Sequence, residues 1–205
     1  MSFIGPSESE LAAVEKLQQR LQNDAAFSNT KVLRFYRGMK FDEEKAYDAL
    51  QKHALWLKEE NIETLHENTM IFEKELNSNK VVILDGLDHN KRPIAMCYVR
   101  RHAANDRDID HIRMLIIHTI ETLIKRSKPE EENFVICFDL TKFSYKCLDY
   151  EAVKALISIM QANYPDTLHT CLLIDDSPSW IFTTCWAMIR PWLDPVTVAK
   201  VIFSF

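Results

Sequence analysis

Residues 134–174 read FVICFDLTKFSYKCLDYEAVKALISIMQANYPDTLHTCLLI. The opening run, Phe134-Val135-Ile136-Cys137-Phe138, is apolar at odd and even positions alike, and so is the closing run, Cys171-Leu172-Leu173-Ile174. A strand with one wet face alternates apolar and polar residues. A strand that does not alternate is covered on both faces, as in the parallel sheets of α/β proteins. Between the two runs, residues ~149–163 have room for a helix, which Pro165 stops. Strand, helix, strand with both strands buried is a parallel crossover unit.

The pattern extends in both directions. Val81-Val82-Ile83-Leu84 and Pro93–Val99 are two more strand candidates, joined by the turn Asp88-His89-Asn90-Lys91. Asp110 opens a helix through Leu115, Ile116 and Ile120 to Lys125 and Arg126, with Pro129 beyond. Downstream, Ser179 can cap a helix ending near Pro191, and Val201-Ile202-Phe203 is a fifth strand. Before Lys80 the signals are helical. Ser7 and Glu10 form a capping box ahead of Leu11, Val14, Leu17 and Leu21. Residues 32–37 make a short helix. Asp42 caps another, with Ala46, Leu50, Ala54 and Leu57 as its stripe. The expectation is an α/β fold: an N-terminal helical lobe over 1–75, then a domain over 76–205 with a mostly parallel, mixed five-stranded sheet and flanking helices, to which the family resemblance given below adds an enclosed apolar pocket.

Composition removes several functions. The net charge of −5 disfavours nucleic acid, whose phosphates call for a cationic surface. No apolar run approaches the ~20 residues that span a bilayer, and the polar, acidic start is not read as a secretory signal. With three glycines in all, there is no phosphate loop or dinucleotide fingerprint. Five cysteines without a C-x-x-C pair read as reduced cytosolic thiols. The seven histidines show no metal-ligand spacing, and no metal or cofactor is expected. A hydrolase built from Ser177, His169 and Asp139 lacks a nucleophile elbow, so no catalytic residue is assigned. Lys91-Arg92 and Arg100-Arg101 read as a solvated basic face.

Two further stretches carry a family resemblance. Leu33-Arg34-Phe35-Tyr36-Arg37 with Lys40-Phe41-Asp42 and Lys45-Ala46 resembles the N-terminal helical motif of CRAL-TRIO lipid-binding proteins. Asn163-Tyr164-Pro165, then Trp180-Ile181-Phe182, Trp186, Arg190-Pro191-Trp192-Leu193-Asp194-Pro195, Thr197 and Lys200, resembles the family's lipid-binding signature, in particular that of fungal phosphatidylinositol/phosphatidylcholine transfer proteins. The sequence departs from the family at Asp175-Asp176-Ser177-Pro178-Ser179, where an Asn-Ala-Pro tripeptide is usual. It also stops at Phe205, without the segment that wraps behind the sheet in the family.

The resemblance implies a site. Lys200 stands where the family holds the inositol phosphate, Thr197 where it has a headgroup-contacting hydroxyl, and Asp166 where it more often has the glutamate that pairs with the lysine. An arginine contact of the family falls at Met39. Trp180, Phe182, Trp186 and Ile189 lie on the stretch that resembles the movable gate helix. Hydroxyl-bearing positions that hold phosphatidylcholine in the family fall at Phe134, Ile136, Ala95 and near Ile120, all apolar here. A phosphate buried there would find no donors, at ~1–3 kcal/mol for each unsatisfied group. The implied activity is binding and transfer of phosphatidylinositol, with phosphatidylcholine disfavoured and a sterol or other weakly polar lipid as second ligand. The implied partners are a phospholipid, a transient membrane surface and a lipid kinase or other protein. The implied place is the cytoplasm, peripherally on membranes. An adaptor that presents lipid to a partner is the alternative, and an α/β esterase is a more distant one.

Overall fold

The computed structural model describes residues 5–24, 26–175 and 180–204. The chain begins with three helices, α1 (Glu8–Arg20), α2 (Asn29–Gly38) and α3 (Glu43–Glu59). Each starts on a side-chain cap. Ser7 Oγ accepts from the Glu10 amide while the Glu10 carboxylate accepts from the Ser7 amide, and Ser28 and Asp42 accept from Lys31 and Lys45. The expected capping box is therefore formed. Arg37 on α2 bonds Glu10 at 2.6 Å and holds its carboxyl down to about 2. Leu17, Phe27, Val32, Phe35, Ala46 and Leu50 close the apolar interior among these helices. Two short helices, α4 (Ile62–Leu65) and α5 (Glu73–Asn77), then lead to the sheet. There the buried Glu75 pairs with Lys80 at 2.5 Å.

The sheet has five strands in the order β1 (Val81–Leu87), β2 (Pro93–Tyr98), β3 (Phe134–Asp139), β4 (Leu168–Ile174) and β5 (Val201–Ser204). β1 runs antiparallel to β2, and every other pair is parallel. The connections are α6 (Ile109–Arg126), α7 (Tyr150–Asn163), and α8 (Trp180–Ile189) with α9 (Pro195–Ala199). Register fixes the faces. Ile136 pairs with Ala95 and Cys171, and Phe138 with Cys97 and Leu173, so these residues share one face with Val201 and Phe203. Right-handed crossovers between adjacent parallel strands put α6, α7 and α8 over that same face. The packing agrees: Ile117, Ile120 and Leu123 of α6 and Ile159 of α7 pack with Ala95, Phe134 and Ile136, while Trp186 of α8 packs with Cys171, Leu173 and Val201.

The structure amends the sequence reading in a few places. The cap of α6 is Asp108, whose carboxylate accepts from the amides of Asp110 and His111, and Asp110 lies in the first turn. β1 continues past Leu84 through an irregularity to Leu87, and β4 starts three residues earlier than expected, at Leu168. Arg92 does not belong to a solvated face. It is buried in the β1–β2 turn against Asp88, Glu131 and Asn133, because three acceptors compensate the desolvation of its charge. Arg100 and Arg101 do remain exposed, with Arg101 stacked 4.3 Å from the Tyr98 ring. The expected cap at Ser179 lies outside the described residues.

Candidate functional site

The turn between α7 and β4 is built to present one carboxylate. Tyr164 is buried and donates its hydroxyl to Glu121 at 2.6 Å. Thr167, fully buried, returns its hydroxyl to the Tyr164 carbonyl at 2.7 Å. Asp166, between them, has φ 56°, the left-handed region that aspartate tolerates better than most residues. Its carboxylate points across to Lys200, with Nζ 3.3 Å from Oδ1. Lys200 ends α9 immediately before β5, and its amide donates to the Thr197 carbonyl.

Helix α2 holds this turn from behind. Gly38 lies so close to Pro165 that a Cβ on it would sit 2.5 Å from the proline Cβ. The glycine is therefore there for close approach. Arg34, almost fully buried, donates to the Pro165 carbonyl at 3.4 Å and pairs with Glu132 at 2.6 Å. The sequence reading had no signal for Gly38 or for this role of Arg34, because their partners lie about a hundred residues or more away.

The candidate headgroup residues thus meet in part. Asp166 and Lys200 form a pair across 34 residues of chain. Thr197 sits one turn before Lys200, but its hydroxyl donates to Asp194 at 2.5 Å, as part of the α9 cap. Ala95, Ile120, Phe134 and Ile136 come together in one buried apolar cluster. Trp186 meets Phe203 edge-on, with ring centroids 5.4 Å apart, and Ile189 is half-buried. The side chains of Trp180 and Phe182 lie outside the described residues.

The C-terminal end of α8 is tied to α7 by contacts the sequence did not disclose. Tyr150 donates to the Met188 sulfur at 3.3 Å and packs edge-on against Trp192. Lys154 stands 5.0 Å over the Trp192 ring, and Gln161 donates to the Trp192 carbonyl at 3.2 Å. Met188 on the same helix is 44% exposed.

Two cavities lie at the helical lobe. A groove of about 910 Å³ runs between α1 and α2 beside Val14, Phe27 and Leu33, and a cavity of about 280 Å³ lies under Arg34, His53, Asn163 and Tyr164. Neither is lined by Ala95, Phe134, Ile136 or Trp186. His53 bonds Asn163 at 3.2 Å there, and burial holds its pKa at about 4. At the strand ends, Asp139 is engaged by Thr141 and Arg100. The cysteines form no disulfide; burial pushes the Cys97 thiol up to about 12. Among the described residues, no helix is long and apolar enough to cross a membrane.

Comparison with known proteins shows the family and the fold. The family model of the CRAL/TRIO domain matches residues 77–204. The CRAL-TRIO domain-containing protein C3H8.02 of Schizosaccharomyces pombe is 32% identical over 181 residues, 84% of this chain and 40% of that protein. The phosphatidylinositol transfer protein CSR1 of Eremothecium gossypii is 36% identical over 134 residues, 64% of this chain and 29% of that protein. The phosphatidylinositol transfer protein PDR17 of Saccharomyces cerevisiae is 26% identical over 185 residues, 84% of this chain and 51% of that protein. The chain therefore spans no more than about half the length of these relatives. The crystal structure of Sfh5 superposes with a TM-score of 0.74 over 99% of this chain and 82% of that one, at 16% identity, a likeness of fold alone. With most of its length matched by the family model, this chain belongs to the CRAL/TRIO domain family.

Proposed function

We propose that the chain binds a phospholipid and transfers it between membranes, with phosphatidylinositol as its principal cargo. The observation that carries this reading is the Lys200–Asp166 pair, a lysine held by a carboxylate at the edge of the sheet. A compact ammonium suits a phosphate, and the carboxylate that now holds it can accept from inositol hydroxyls. Two relatives are named as phosphatidylinositol transfer proteins, which supports the same choice. Acyl chains would lie against the helical face beside Trp186, each buried CH₂ contributing about 0.8 kcal/mol. Helix α8 is the gate, opening at a membrane surface and closing in water.

No step makes or breaks a covalent bond, and no residue is given a catalytic role. The helical lobe, 1–75, braces the lipid domain, 76–205, through Arg34 and Gly38. The protein works in the cytoplasm, docking transiently on membranes. Phosphatidylcholine is a poor cargo, because Ala95, Ile120, Phe134 and Ile136 offer its phosphate no hydroxyl. The same apolar lining admits a sterol as second ligand. Native mass spectrometry after detergent-free purification tests the reading. The expected result is a one-to-one complex at the mass of phosphatidylinositol. Protein that neither retains nor takes up any lipid from vesicles, or that retains phosphatidylcholine in its place, would contradict it.

A further inference from the structure

His66 and His118 are 52 residues apart in the chain, and nothing in their sequence spacing links them. The fold places His66, just after α4, against His118 in the middle of α6, with the two Nδ1 atoms 3.0 Å apart. The ring centroids are 4.7 Å apart and the planes are inclined by 59°. Two imidazoles joined by an in-line N–H···N bond of this length would hold their centroids at roughly 5.3 Å. The shorter separation means that the rings are turned off the line between the nitrogens, by roughly 40° each if they share the turn equally. The hydrogen bond is therefore bent, and a bent bond is a weak one. It also leaves a polar atom stranded, since the Nε2 of His66 is buried without a partner. In either tautomer that atom loses water and gains nothing.

The same geometry suits a different occupant. A metal ion bound by imidazole sits about 2.0–2.1 Å from each nitrogen. Two such nitrogens in adjacent positions of a square-planar or octahedral ion are then about 2.8–3.0 Å apart, with each lone pair about 45° off the line between them. Tetrahedral coordination needs about 3.4 Å. The observed separation matches the first case, and so does a turn of roughly 40° shared equally by both rings toward the same side. We propose that His66 and His118 form a two-imidazole site for a divalent transition ion of tetragonal preference, Cu(II) above Ni(II) and Zn(II), with water completing the coordination.

The surroundings fit a ligand pair. Burial lowers the pKa of both rings, and Lys125 adds to the effect on each, so both are neutral near pH 7 and bind without first losing a proton. Glu121, one turn beyond His118 on α6, lies within the field of His66 and offsets part of the charge of an ion. Phe72 packs against the His118 ring and limits its rotation. Among the described residues no third His, Cys, Asp or Glu completes a cage, so the site is an exchangeable one.

The test is a copper titration of tag-free protein, followed by electron paramagnetic resonance. One equivalent of Cu(II) should give a tetragonal signal split by two imidazole nitrogens. His66→Gln and His118→Gln should each leave one nitrogen and weaken binding by an order of magnitude or more. His111→Gln, on the same helix, should change neither. The wild-type nitrogen count needs no variant to be folded, and a count below two would overturn the proposal. So would equal copper affinity in the wild type and the double variant, which would leave the pair as a hydrogen bond only.

Discussion

On its helical face the sheet is packed densely at one side and sparsely at the other. Around β2, β3 and α6, one cluster holds twelve buried residues among those described, from Ile62 to Tyr164. Around β4 and β5 the corresponding cluster holds two of the described residues, Leu140 and Leu173, with Trp186, Phe143 and Val201 partly buried beside them; the side chains of 176–182 lie outside the described ones. The strands stay paired across the change, with one register shift at Phe134–Val135 where β3 meets β4, and what lies on top of them differs. Helix α6 brings Leu115, Ile117, Ile120 and Leu123 down onto the sheet. Helix α8 is apolar nearly all round, but it commits Cys185 to a buried position and leaves Met188 in the open. A ligand with two long apolar tails has to enter where little packing is lost. On the proposed function the sparse side is that place, with the Lys200–Asp166 pair at its edge.

The contrast can be broken by truncation. Phe134→Ala, on the dense side, should cost about 3–5 kcal/mol, because a fully buried ring leaves a cavity that the neighbours cannot fill. Trp186→Ala should cost under about 2 kcal/mol while slowing lipid exchange. Urea unfolding of both variants measures this, and equal losses would remove the distinction between the two sides.

A second effect belongs to the seam between the helical lobe and the sheet domain. His53 is buried and neutral, with its pKa held at about 4, against about 6.5 in an unfolded chain. A depressed pKa means that the folded state refuses a proton the unfolded state takes. The stability is therefore fully present above pH ~6.5 and is lost as the pH falls toward 4, by about 3 kcal/mol in all. His53→Gln should flatten the stability profile between those limits. A profile as steep as the wild type's would locate the acid sensitivity elsewhere.

Much of this was legible in the sequence, and the reasons differ by region. Strands of a parallel sheet declare themselves because they do not alternate, so β3 and β4 stood out at once, though β3 is buried over most of its length while β4 is half-buried apart from Leu173. Caps are local, so Ser7 and Asp42 could be read from three or four residues. Asp108 was missed in favour of Asp110 because both precede the same apolar run by a plausible distance. Arg92 was read as solvated since nothing nearby in sequence announces Glu131 or Asn133 as partners. The Asp166–Lys200 pair came from the family resemblance and not from spacing. Gly38 against Pro165, Trp192 under Lys154, and His66 beside His118 had no sequence signal at all, since each is a contact between distant segments.

The central claim is that one lysine at the edge of the sparse side selects the lipid. Lys200→Ala removes a charge-assisted contact to a partly buried phosphate, worth about 1.5–3 kcal/mol. The measurement is transfer of labelled phosphatidylinositol and of labelled sterol between vesicles by wild-type and Lys200→Ala protein. The account predicts that phosphatidylinositol binding falls roughly ten- to a hundredfold while any sterol transfer stays level. Unchanged phosphatidylinositol transfer, or an equal loss for both lipids, would contradict it.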